Sequence, residues 1–199
     1  MLLRMLDRAL RLAFANFSTL FFVVALVTVP LHVLHGFAFH RTVAVADFHD
    51  DIASYPEGRQ IEGVGPADVR AYRLTGWVLT GIELLLLPFA VRAARRVVEV
   101  HGEGKAPGVL DAWRAALRTR IERPPRVRRA LGALVLPLLL ALACGWLVRT
   151  IGLVVADPMP SSWWFAPLGV IEGVSRAAGA PFFLAAATLS AHETKVSGR

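Results

Sequence analysis

Residues 12–40 read LAFANFSTLFFVVALVTVPLHVLHGFAFH, a run without a single Asp, Glu, Lys or Arg. A run this long and apolar predicts a helix solvated by hydrocarbon, since a membrane leaves no other partner for its backbone polar groups than the helix itself. We place the first span at about residues 14–37; its 24 residues reach about 36 Å at 1.5 Å per residue, enough to cross with some tilt. Pro30 should kink it. The run is too long for the roughly 7–15-residue core of a secretory signal, and no small-residue cleavage site follows, so it is expected to be a retained span.

Working outward, three more apolar stretches occur. The second is about residues 72–91, with Gly65-Pro66 and Asp68 ahead of it as a helix start. The third is about 131–155, interrupted by Pro137. The fourth, about 163–189, contains Glu172, Arg176, Gly179 and Pro181. It is either one tilted span or an interfacial stretch to Ser175 followed by a short span. An outer loop at 39–71 and a cytoplasmic loop at 92–130 complete a single membrane domain. The expected fold is all-α: an integral membrane four-helix bundle with a cytoplasmic amphipathic helix. Composition agrees, with 55% hydrophobic residues and a mean hydropathy of +0.53, more apolar than a soluble domain of this size needs.

Charge fixes the expected threading. The N-terminal tail has Arg4, Arg8 and Arg11 against Asp7. From Phe39 to Arg73 there are four basic and six acidic residues, and from Arg92 to Arg129 eleven basic and four acidic. The positive-inside rule then puts the N-terminus, the second loop and the C-terminus in the cytoplasm of a bacterial inner membrane; the bacterial source is an association with arginine outnumbering lysine. Trp163 and Trp164 would sit in the outer interfacial belt, while Trp77 is somewhat deep for one. The net charge of +7 points to anionic lipid headgroups as partners, and not to nucleic acid.

The cytoplasmic loop carries a helical pattern between Pro107 and Pro124-Pro125. Leu110, Trp113, Leu117 and Ile121 recur at intervals of three and four, with Arg114, Arg118 and Arg120 around the rest. Such a basic amphipathic helix suits the headgroup region, and Arg126, Arg128 and Arg129 behind it could pair with lipid phosphates. Packing of its apolar face on the protein's own spans is the competing expectation.

Charged residues inside spans mark the other candidate site. Glu83 falls near the middle of span two, where an isolated charge costs about 2.5–3.5 kcal/mol. Glu172 and Arg176 are four apart and are expected to pair with each other. With His32 they form an intramembrane polar cluster. A structural tie between spans, with His32 and His35 solvated at the rim, is the favoured reading; a proton or headgroup site is the alternative. Gly76, Gly81, Gly173 and Gly179 would let helices approach closely. Cys144 is expected to be a packing residue.

No catalytic signature is present. Gly102-Glu103-Gly104-Lys105 lacks the earlier glycine and the Ser/Thr of a phosphate loop, and neither a Gly-x-Ser-x-Gly elbow nor a His-Glu-x-x-His pair occurs. His40, Asp47, His49, Asp50 and Asp51 match no metal spacing. No cofactor or metal is expected.

Two segments carry a resemblance: RALRLAFANFSTLFFVVALVTVP (Arg8 to Pro30) and PFFLAAATLSAHETKVSGR (Pro181 to Arg199). They resemble the first and last spans of the membrane domain fused to some bacterial glycerophosphodiester phosphodiesterases and of related stand-alone membrane proteins. That group commonly has more spans than four, and its tail carries Tyr-x-Asp-x-Arg where this chain has His192-Glu193-Thr194-Lys195. The resemblance implies a membrane module and no catalysis of its own; the catalytic barrel is absent, so His40-Arg41 is not that enzyme's His-Arg motif. The expected function is a non-catalytic accessory or stabilising subunit that docks onto other membrane protein subunits. The alternative is a lipid or small-solute translocator using the intramembrane charges. A lipid enzyme built on His49, Asp50 and Asp51 is the weakest reading.

Overall fold

A computed structural model describes residues 2–45, 64–105, 108–118, 131–156 and 165–196. Among the described residues the chain is almost entirely helical, with no β-sheet. The order is α1 (Leu2–Ala15), α2 (Phe17–Ala38), α3 (His40–Val45), α4 (Pro66–Gly102), α5 (Val109–Arg118), α6 (Leu131–Ala156) and α7 (Phe165–Val196). Four of these, α2, α4, α6 and α7, are long and apolar enough to cross a membrane.

The spans differ from the sequence reading in instructive ways. Residues 2–15 form a separate helix, offset from α2 at Asn16, whose backbone (φ −119°, ψ 19°) leaves the helical region. Its period of three to four (Leu6, Leu10, Ala13 against Asp7, Arg8, Arg11) was legible in the tail. Helix α4 extends past the second apolar stretch. It continues to Gly102 because Ala93, Ala94 and Val97, interleaved with the arginines, form a fully buried face. The helix then stops at Gly104, whose φ of +73° only glycine adopts freely. There Lys105 N–H donates back to Val100 O at 3.2 Å, satisfying a terminal carbonyl. At the other end Gly65 N–H donates to Asp68 at 2.8 Å, the helix start expected from Gly65-Pro66. Helix α6 runs unbroken through Pro137, and α7 is one continuous helix from Phe165 to Val196.

Helix α7 is the centre. It packs along α2 on one side and α6 on the other, and it also meets α1 and α4. Glycines make these approaches close. A Cβ at Gly173 would fall 2.5 Å from Val29 Cα, and one at Gly179 would run into the backbone of Ala141. Gly76 and Gly81 do not act this way, contrary to expectation: nothing lies nearer than His35 Cε1, at 4.0 Å from a Cβ on Gly76, and nothing within 4 Å at Gly81. Small contact residues suit membrane helices, where van der Waals fit takes over from the hydrophobic effect. Thr28 adds a buried interhelical hydrogen bond to Gly173 O, 2.9 Å. Cys144 lies between α6 and α7, with Sγ 3.6 Å from Ala178 O.

The best-formed core sits where α2 begins and α4 ends. Leu20, Val23, Ala90, Val97, Ala116 and Leu184 are among its buried members, so α5 closes back onto α4 and α2. Arg92 donates to Ala116 O near the end of α5 at 3.4 Å and stacks on Phe89.

Candidate functional site: an ion-paired cleft between α4 and α6

The four residues expected as an intramembrane cluster are brought together, though with different partners. Glu83, one face of α4, takes His32 Nε2 of α2 at 2.9 Å and Arg176 Nη1 of α7 at 2.5 Å. Glu172 is bound by Arg149 Nε of α6 at 2.6 Å. The expected Glu172–Arg176 pair on one helix is therefore corrected. Pairing within α7 would leave Glu83 with His32 alone and would take the Glu172 carboxylate from Arg149. Exchanging partners compensates all four. Arg149 also belongs to the cluster; its signal was a lone cation in an otherwise apolar stretch. His32 is buried, and His35 stacks on Tyr72 with Nε2 2.9 Å from Thr75 Oγ1. His32 is therefore not solvated, and His35 is half-buried. Every one of these bonds joins two different helices, as a structural tie requires.

The same charges border an opening. Helices α4 and α6 scarcely touch one another, and a cavity of about 530 Å³ lies between them over a floor of α2 and α7. Its walls Leu84, Leu142 and Trp146 are 64%, 61% and 68% exposed, so it is a cleft open on the bundle's side and not a sealed void. Its polar groups gather at one end: Thr28, Thr80, Glu83, Arg149, Ser175 and Arg176. The other end is apolar, with Leu87, Leu138, Phe183 and Leu184, and is closed by Trp113 of α5. From Leu138 to Arg149 along α6 the cleft extends about 16 Å. The volume and the few polar groups in a mostly apolar lining match small-molecule sites in general.

Helix α5 forms where periodicity placed it, but with another face inward. Ala112 and Ala116 are buried, and Trp113 Nε1–H donates to Val23 O at 2.9 Å. Leu110 and Leu117 point outward, 60% and 64% exposed, beside the exposed Arg114 and Arg118. Alanines allow the close approach that leucines would hold off, so Ala112 and Ala116, with Trp113, and not the leucines, mark the packing face. Ile121, Arg126, Arg128 and Arg129 lie outside the described residues, as do Asp47, His49, Asp50 and Asp51 of the outer loop. Among the described residues no group of three His, Cys, Asp or Glu side chains is placed to hold a metal ion.

Compared with protein-family profiles, with curated proteins and with solved structures, the chain finds no match in any of the three.

Proposed function

We propose that the chain is an integral protein of a bacterial inner membrane that takes a lipid-like amphiphile into the cleft between α4 and α6, as a lipid translocator or carrier without bond-making chemistry. One observation carries this reading: a laterally open apolar cleft whose charged and hydroxyl groups lie at one end. The arginine distribution supports an orientation with α1, α5 and the C-terminus cytoplasmic. In that orientation the polar end faces the outer leaflet and the apolar end runs toward the cytoplasm. A lipid of the outer leaflet has the same polarity, so it enters sideways without turning over. Its headgroup meets Arg149, Ser175 and Thr28, and its chain lies along Leu87, Leu138 and Phe183 toward Trp113.

The test is native mass spectrometry of the purified protein released from detergent. Bound phospholipid should be retained by the wild type and by Leu147→Trp, an exposed α6 position outside the cleft. It should be lost from the cleft-filling Leu138→Trp/Leu142→Trp variant. Equal retention by both variants, or none by the wild type, defeats the reading.

A second reading, an accessory subunit docking onto a larger membrane assembly, is favoured by a separate observation. The apolar windows of α4 and α6 are only 6% and 0% buried, against 50% for α7. Two of the four membrane-length helices thus keep nearly whole apolar faces for lipid or for another subunit. Co-purification of a partner after mild detergent supports it; isolation only as a lone monomer counts against it.

A further inference from the structure

We infer that α1 and α5 together form a binding surface for anionic phospholipid headgroups at the end of the bundle where α2 begins. This stands independently of the cleft. Both helices are strongly amphipathic while being, on average, neither apolar nor polar, unlike the spans beside them. Both pack by alanines: Ala9 and Ala13 from α1, Ala112 and Ala116 from α5. Each then turns a mixed face outward. On α1 this face holds Asp7, Arg8, Arg11 and a Phe14 that is 66% exposed; on α5 it holds Leu110, Asp111, Arg114, Leu117 and Arg118.

Charge and position both select lipid as the occupant. Asp7 pairs with Arg11 and Asp111 with Arg114, so among the described side chains Arg8 and Arg118 each add a net positive charge to these outward faces. Large apolar side chains exposed next to arginines are stable where headgroups meet acyl chains: the ring or isobutyl group sits below and the guanidinium reaches phosphate. The two helices lie at that level. Trp113 meets α2 at Val23, within two turns of its start, and α1 runs directly into α2 at Asn16. They also take opposite sides, α1 against α7 and α6 and α5 against α4 and α2, so they bracket the bundle as a basic collar.

The full chain, reconstituted in phosphatidylcholine with spin-labelled phosphatidylglycerol or spin-labelled phosphatidylcholine, tests this by the motionally restricted fraction of each probe. The wild type should select phosphatidylglycerol. Arg8→Gln/Arg11→Gln/Arg114→Gln/Arg118→Gln should lose that selection, with each unpaired arginine worth up to about fivefold. The same four positions changed to Lys should keep it, as should Arg41→Gln at the opposite end of α2. Selection unchanged by the four glutamines overturns the inference. So does a wild type without selection whose Leu117→Cys form cross-links to a second copy, because the surface then belongs to a protein contact. Loss of cleft-bound lipid in the tryptophan variants leaves this outcome unaffected, so the two readings fail separately.

Discussion

Arg176 and Glu172 stand one turn apart on α7, yet Arg176 binds Glu83 of α4 and Glu172 is bound by Arg149 of α6. The central helix thereby holds both of its outer neighbours by charge, and α4 and α6 stay apart across the cleft. Breaking one link should expose the cost. Glu83→Leu leaves His32 and Arg176 without their carboxylate and should destabilise the fold by about 3–5 kcal/mol. Adding Arg176→Met should recover most of that stability, because a well-packed apolar pair replaces a half-buried ion pair at little cost. Denaturant unfolding of the two variants in mixed micelles measures this. The double variant should nonetheless bind less lipid, which separates a ligand role from a purely structural tie.

Glycine substitutions should sort by helix and not by residue type. Gly179→Ala drives a Cβ into the Ala141 backbone and should cost about 1–3 kcal/mol as α6 shifts from α7. Gly81→Ala meets nothing within 4 Å and should stabilise α4 by about 0.5–1 kcal/mol. Thermal unfolding midpoints of the two variants check the opposite signs.

Thr28→Val removes the buried hydrogen bond to Gly173 O while keeping the side-chain shape. The expected loss is about 1 kcal/mol, in the range of interhelical hydrogen bonds within membranes. Among the described residues Thr80 bonds within α4, to Gly76 O. Thr80→Val should therefore change stability less, and a chemical denaturation series on both variants makes the comparison.

Trp113 anchors α5 by one directed bond and a ring. Trp113→Phe keeps most of the ring and loses the Val23 bond, for about 1 kcal/mol. Trp113→Ala also removes the apolar end wall of the cleft. Hydrogen exchange of the α5 amides should be modestly faster in the first variant and much faster in the second, with α6 and α7 amides unchanged.

The four membrane-length helices were legible because each carries a continuous apolar window, a one-dimensional signal. Glu83, Glu172, Arg176 and His32 were legible as charges or histidines out of place in such windows. Their partners were not, since a chain alone does not say which helices are neighbours, and the nearest carboxylate in sequence to Arg176 is not its nearest in space. The extension of α4 was hidden because Arg92, Arg95 and Arg96 read as loop while the buried Ala93, Ala94 and Val97 lie between them. The packing face of α5 was hidden for a related reason. Leucines dominate any hydropathy pattern, yet Ala112 and Ala116 make the contact. The cleft is a property of two helices that do not meet, and no local pattern encodes it.

The threading of the chain is tested most directly by cysteine accessibility in intact cells. In a Cys144→Ser background, single cysteines replace Leu110 on α5 and Ala67 at the start of α4, both on exposed positions. A membrane-impermeant maleimide added from outside should label residue 67 at once and residue 110 only after permeabilisation. Labelling of both positions from the same side would contradict a helix α4 that crosses the membrane between them, and with it the site built on that helix.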